Sequence, residues 1–272
     1  MFPYTIFKTI KCRVPDITRE NIKEALHYMQ KPLIYLINLI FTTGEFPKHG
    51  KIAKIKPLHK SKTKKDVCNY RPISILNTLS KIVESLLKNR LISYFESHHL
   101  FNNSQHGYRA GKSTNTALQS MLKFVYNSHN KGKIVASINC DLSKAFDLVD
   151  RKLLLSKLRA YGIRGVPLNL LKSFVSDRYQ YVVIDKVYSS GQIVEVKSQV
   201  RPVNYGVPQG SILGPILFII YMNDLPNNLI DTCHICTYAD DTSVTIACSQ
   251  NDLKFTLNKS LAQLINWFNA NF

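Results

Sequence analysis

The feature that most restricts this chain is Thr237-Tyr238-Ala239-Asp240-Asp241-Thr242. Two adjacent carboxylates sit between two β-prone runs, His234–Tyr238 before and Thr242–Ile246 after, which predicts two short strands joined by a tight acidic turn. Ionised carboxylates about 4 Å apart in an effective dielectric near ~20 repel by roughly 4 kcal/mol. A chain tolerates this where the turn is solvated or where a divalent cation sits on it. The solvated turn is the commoner fate of such a dipeptide, so the pair acquires meaning only through the rest of the chain.

Composition narrows the partner. The 272 residues are 45% hydrophobic and 20% charged, enough to bury a core. They carry 36 Lys and Arg against 18 Asp and Glu, a net charge of +18 that points to a polyanion. A basic membrane-surface protein would share that charge, but the longest apolar runs, Leu33–Phe41 and Ile212–Met222, are too short to span a bilayer. The first residues lack the apolar core of a secretory signal, so a reducing intracellular compartment is expected. The cysteines are scattered. Only Cys233-His234-Ile235-Cys236 has metal-ligand spacing, and without a second pair it reads as part of a strand.

Along the chain, Ile22, Ala25, Leu26 and Met29 keep helical spacing, Pro32 breaks or restarts the helix, and Leu33, Leu36, Ile37 and Ile40 carry it to Gly44. A helical hairpin is expected there. From Lys48 to Arg71 nine basic residues face one acid, Asp66. Ala53, Ile55 and Pro57 alternate with Lys54 and Lys56, predicting a strand with one basic face, and Lys60–Lys65 reads as its loop. Such a run suits a solvated face, a nuclear-import signal or a hairpin that grips phosphate; the overall charge favours the last. Thr78–Phe95 carries a broad apolar stripe and is a helix.

His106–Thr114 looks like a phosphate-binding loop, but only three residues separate Gly107 from Gly111 where a Walker A loop needs four, and no strand precedes it. A helix follows from Thr114 to Tyr126, with Leu118, Met121, Leu122 and Val125 inward. Ile134–Cys140 is a strand, apolar enough to be buried on both faces, and it delivers Asp141 at its end. Capping of the next helix explains Asp147 or Asp150 better than Asp141. Two short helices, 153–161 and 167–174, precede a strand pair at 179–184 and 193–203. Gly206–Ser211 is a turn where backbone can approach a ligand, followed by a buried helix. Leu253, Leu257, Leu261, Leu264, Ile265 and Phe268 make a last amphipathic helix.

An acid ending one strand (Asp141) and an acid pair on a neighbouring hairpin (Asp240, Asp241) are what two-metal phosphoryl chemistry requires. Hard ions of this kind take carboxylate oxygens together with substrate phosphates. Five blocks then occur in one order: Asn69–Ser74, Gln105–Thr114, Asp141–Asp147, Gly206–Pro215 and Tyr238–Asp241. In these blocks the chain resembles the reverse transcriptases of non-LTR (LINE-type) retrotransposons, most like the jockey and CR1 groups, from about residue 30 onward.

The resemblance implies an α+β right-hand polymerase with fingers and palm, an antiparallel sheet with packed helices, and the thumb absent from this chain. Residues 1–47 would form an N-terminal helical extension, 48–133 the fingers and 134–272 a palm built as a βαββαβ-like sheet. It implies that Asp141 and Asp240 ligate both of two Mg²⁺ ions (Mn²⁺ as a substitute), with Asp241 supporting and the carbonyl of Leu142 completing a shell. Phe146 matches the aromatic gate that excludes a 2′-hydroxyl. Arg71 and Lys60 match residues that hold the incoming triphosphate, and Gln209 one that contacts the nascent pair and template.

The implied partners are an RNA template, a DNA primer and dNTPs, with no membrane. An endonuclease domain is expected in the full element but not in this chain, and the element would work in nucleus and cytoplasm. Three other readings compete: an inactive nucleic-acid-binding remnant, an RNA-templated RNA polymerase or group II intron-type enzyme, and an ATPase using Gly107–Ser113.

Overall fold

A computed structural model describes residues 19–60, 63–142, 144–188, 191–229 and 233–272. Cys12, Lys62 and Ser143 lie outside this set, as do the side chains of Ile22, Ala25 and Leu26. Helices and mainly antiparallel sheets alternate along the chain, an α+β arrangement. No helix among the described residues is long and apolar enough to cross a membrane. The chain divides into two compact units, residues up to Asn89 with Leu158–Gly214, and Arg90–Lys157 with Pro215–Phe272.

The first unit opens on one continuous helix, α1 (Arg19–Thr43), not the expected hairpin. Pro32 lies inside it, where the missing N–H and the ring clash would break a buried helix. Here Tyr28 to Pro32 are exposed, so water can serve the carbonyl that loses its donor. Gly44, at φ +72°, ends the helix. Strand β1 (Ile52–His59) buries Ala53 and Ile55 and pairs antiparallel with β2 (Tyr70–Ile75), from Lys54 opposite Ile75 to His59 opposite Tyr70.

The expected basic face is largely neutralised. Lys54 pairs with Glu195 at 2.6 Å and Lys56 with Asp185 at 2.8 Å. Those acids sit on β4 (Arg178–Val187) and β5 (Ile193–Lys197). β4 joins β1 in parallel, β5 pairs with the far half of β4, and β6 (Arg201–Val203) with its near half. The strands at 178–203 therefore extend the β1–β2 sheet and do not join the acid-bearing one, so a palm sheet containing all of them is not what forms.

Helix α2 (Thr78–Ser97) follows the predicted stripe, with Ile82, Val83, Leu87, Leu91 and Phe95 buried. Each fully buried side chain of this size contributes about 1.5–3 kcal/mol.

In the second unit, α3 (Thr114–His129) begins with Ser113 and Thr116 exchanging cap hydrogen bonds. Its inner face is not the expected one: Leu118 and Leu122 are both 54% exposed. Small and aromatic residues face β7 (Cys233–Tyr238) instead. Ser120 Oγ lies 2.9 Å from His234 Nε2, Phe124 stacks on the same imidazole, and Cys236 Sγ contacts the Ala117 carbonyl. Cys233 turns to Ser260, so the two cysteines have separate partners and remain strand residues.

A three-stranded antiparallel sheet is ordered β3–β8–β7, with β3 Ile134–Cys140 and β8 Asp241–Cys248. β8 is central and buries Thr242, Val244, Thr245, Ile246 and Ala247. β3 pairs only with β8 among the described residues, and none of its residues is fully buried, unlike the two-sided burial expected.

A one-turn helix α4 (Ala145–Leu148) leads to α5 (Arg151–Ala160), capped by the Asp150 carboxylate on the Leu153 N–H. Helix α6 (Gly165–Val175) belongs to the first unit; in the second, α7 (Gly214–Tyr221) carries the run Ile216–Tyr221, fully buried throughout. The last helix, α8 (Leu253–Asn271), turns Thr256, Ser260, Leu264, Trp267 and Asn271 inward, while Leu261 and Ile265 stay outside. Its rotation is set by Trp267, which shares the Lys157 ammonium with the Tyr221 ring, and by Ser260, small enough to approach Cys233. Lys157 also donates to the Tyr221 carbonyl and to Asp224, yet burial still pulls its pKa down.

Candidate active site

The predicted acidic hairpin forms. β7 and β8 run in register from Cys233 opposite Ile246 to Tyr238 opposite Asp241, leaving Ala239-Asp240 as a two-residue loop. Of these two, only Ala239 has positive φ, +59°. That is the pattern of a type II′ turn, whose first central position is normally glycine. An alanine held there costs of order 1–3 kcal/mol and persists only where its surroundings over-determine it.

Register also places Asp141. β3 and β8 pair from Ile134 opposite Cys248 to Cys140 opposite Thr242, so Asp141 follows the last pair and Asp241 precedes it. Both acids leave the same end of the sheet, one residue step (about 3.3 Å) past partners whose Cα atoms lie about 4.5–5.5 Å apart. Asp141 and Asp241 are exposed and Asp240 is half-buried. None of the three carboxylates forms a hydrogen bond or ion pair with another described residue. In a chain with twice as many cations as anions, three carboxylates at one sheet end without a lysine or arginine partner among the described residues form a set of hard-oxygen donors. No three His, Cys, Asp or Glu side chains among the described residues converge into a ready-made metal cage. The donor set fits a divalent ion of the kind that completes its shell with substrate oxygens.

Around the turn, Tyr108 sits at φ +56°, and burial first, then the charge of Asp240, raises its hydroxyl pKa. Leu142 is half-buried after Asp141. Phe146, on α4, stacks on Phe218 of α7 with ring centres 4.8 Å apart.

The segment that resembles a phosphate loop has another occupation. Arg109 makes two hydrogen bonds to Glu96, 2.9 and 2.8 Å, and a third to the Asn102 carbonyl, and it lowers the pKa of Glu96. Lys112 reaches the Asn103 carbonyl, and Ser113 caps α3. These groups are spent on the fold, which leaves the ATPase reading without a phosphate grip.

The remaining residues singled out in the sequence belong to the first unit. Lys60 follows β1, exposed, its N–H on the Asn69 carbonyl. Arg71 is exposed on β2 opposite Leu58. Gln209 accepts the Ser74 N–H at 2.8 Å through its carbonyl. A Cβ on Gly210, at φ +102°, would meet the Ser74 carbonyl at 2.8 Å, so glycine there is needed for the turn to lie on β2.

Sequence reading missed Glu84. It is fully buried, and one carboxylate oxygen takes the N–H groups of Ile212 and Leu213 at 2.7 and 3.2 Å. Burial outweighs those bonds and the field of Arg178, and its pKa is pushed up to about 7. The available signal was its place on the apolar stripe of α2.

A family model described as reverse transcriptase (RNA-dependent DNA polymerase) matches residues 62–271. The chain is 34% identical over 219 residues to the RNA-directed DNA polymerase from mobile element jockey of Drosophila melanogaster, covering 78% of this chain and 23% of that protein. It is 30% identical over 249 residues to the probable RNA-directed DNA polymerase from transposon BS of the same fly, covering 86% of this chain and 26% of that protein. A similar likeness, 30% over 214 residues, holds for the probable RNA-directed DNA polymerase from transposon X-element, with 77% and 22% covered. The chain thus spans about a quarter of the length of these relatives.

Proposed function

The chain belongs to the reverse transcriptase (RNA-dependent DNA polymerase) family, and from that premise we propose that it adds deoxynucleotides to a DNA 3′-end on an RNA template. The observation that carries the proposal is the sheet end at which Asp141 and the Ala239-Asp240 turn emerge together, unpaired with any cation among the described residues. Asp141, Asp240 and Asp241, with the carbonyl of Leu142, would hold divalent ions, two Mg²⁺ by family pattern. Such ions supply charge neutralisation at the attacking and leaving oxygens. What the protein contributes is the setting of its own carboxylate oxygens at one end of the β3–β8–β7 sheet.

In the same reading the sheet of β1, β2, β4, β5 and β6 serves as fingers and the β3–β8–β7 sheet with its helices as palm. Lys60 and Arg71, exposed and without an ion-pair partner among the described residues, bind the triphosphate of the incoming nucleotide. Gln209 contacts the nascent pair, its backbone fixed against Ser74. The surplus of positive charge holds template and primer through their phosphates, so binding should weaken steeply with salt. Partner domains carried by a full element, an endonuclease among them, belong to this proposal and to retrotransposition in nucleus and cytoplasm.

The test is primer extension by the purified chain on an RNA template with dNTPs, with and without a chelator. Extension that requires a divalent ion is expected. Template binding without any extension, at enzyme in excess over primer, would replace the proposal with that of a binding protein. Phe146 provides a second check. Its ring stacks on Phe218, and in this reading it excludes a 2′-hydroxyl. Phe146→Ala should lower discrimination against ribonucleotides by roughly 10–200-fold, the range for one small group in a pocket. Unchanged sugar selectivity would remove the gate role.

A further inference from the structure

The acidic turn is held from outside its own hairpin, by the segment Ser104–Gly107. Thr237 donates its N–H to the Ser104 carbonyl at 2.9 Å, and its own carbonyl accepts the His106 N–H at 2.8 Å. Between them lies Gln105, only 3% exposed. Its side-chain oxygen takes two backbone donors, the Gly107 N–H at 2.7 Å and the Ala239 N–H at 3.2 Å. Ala239 is the residue with positive φ that forces the turn, so the amide acts on the strained position itself.

The approach is close enough to exclude a side chain at 107: a Cβ there would meet the Ala239 nitrogen at 2.5 Å. The bracket is anchored in turn. Asn223 takes the Asn102 N–H and donates to the Leu100 carbonyl, both at 2.8 Å, while Arg109 ties Glu96 to Asn102.

We propose that Gln105 is a positioning residue for the acidic turn, its buried side-chain oxygen clamping the Ala239 N–H and so setting where the Asp240 carboxylate stands. For its consequence in turnover this rests on the polymerase reading. Gln105 itself touches no reacting atom. Without its oxygen the Ala239 and Gly107 donors lose their partner, and the alanine can leave its strained conformation by rotating the loop that carries Asp240. A displacement of about 1 Å at a reacting centre can cost on the order of 100-fold in rate.

Amide hydrogen exchange, read residue by residue on the full chain without metal, tests the clamp apart from any activity. In Gln105→Ala, exchange at Ala239 and Gly107 should rise at least tenfold while β3 and α8 keep their wild-type rates. Gln105→Glu, which keeps an acceptor oxygen at the same reach, should hold exchange slow. Gly107→Ala, which attacks the same contact from the other side, should open Ala239 as Gln105→Ala does. Unchanged exchange at Ala239, an equal rise across the whole second unit, or a glutamate variant as open as the alanine one would each overturn the proposal.

In primer extension, Gln105→Ala should lower kcat by roughly 10–100-fold with the dNTP KM within twofold of wild type. A change confined to KM would overturn the positioning role. A wild-type chain that never extends a primer, yet shows the exchange contrast, would remove the polymerase reading and leave the clamp standing.

Discussion

Asp240→Asn should abolish primer extension, by about 1,000-fold or more, and leave the fold as stable as before or slightly more so. The two halves of this expectation come from the same observation. Asp240 has no hydrogen-bond or ion-pair partner among the described residues, so an amide of nearly the same shape breaks no protein contact. What the change removes is the charge and one hard oxygen, which carry the proposed chemistry of the turn. It also removes the repulsion between neighbours in the pair, which solvent at these exposed and half-buried positions reduces well below the unscreened figure.

Melting curves and extension rates measured on the same preparation therefore separate the reading from simple damage. Full extension by Asp240→Asn would end the assignment of this turn. A large fall in Tm would show that the carboxylate has a structural partner. Asp241→Asn, at the first position of β8, should cost less, because the proposal gives it only a supporting part.

How much of this was legible in advance follows from how local each signal is. The acidic turn could be read because alternation and two adjacent acids lie within a dozen residues, and hairpin register then follows from pleat and turn length. Asp141 could be read as a strand end for the same reason. The partnership of β4 with β1 could not, since parallel strands so far apart in sequence carry no mark of each other.

Helix faces were misread in a consistent direction. On α3 and α8 the leucines invite burial, but small residues face the sheet because the backbones must come close, and the buried tryptophan of α8 turns to Lys157. Pro32 was over-read because a break is certain only where water is excluded. Gln105 and Glu84 were silent because their roles consist of bonds to backbone N–H groups of distant residues, and no pattern of residue types shows that.

Glu84 should make the protein less stable as pH rises through neutrality. Its pKa stands near 7 in the fold against 4.5 when solvated, so the folded state holds its proton more tightly than the unfolded one. The stabilisation is complete below about pH 4.5 and is lost as pH passes the folded value, reaching about 3 kcal/mol by pH 8. The sign is opposite to that of a surface carboxylate paired with a cation. Arg178 and the two N–H groups at Ile212 and Leu213 pull towards ionisation, but full burial of the carboxyl outweighs them.

Glu84→Gln keeps an oxygen for those N–H groups and has no charge to bury, so it should match wild type near pH 5 and exceed it near pH 8. Glu84→Ala should lose stability at every pH, by about 3 kcal/mol or more, since two buried donors lose their acceptor. Because those donors end the turn that carries Gln209, the alanine variant should also lose template-dependent extension before it unfolds. Thermal melts of the three proteins from pH 5 to 8 decide the matter: wild-type and glutamine curves that stay parallel across that range would mean that Glu84 does not titrate there.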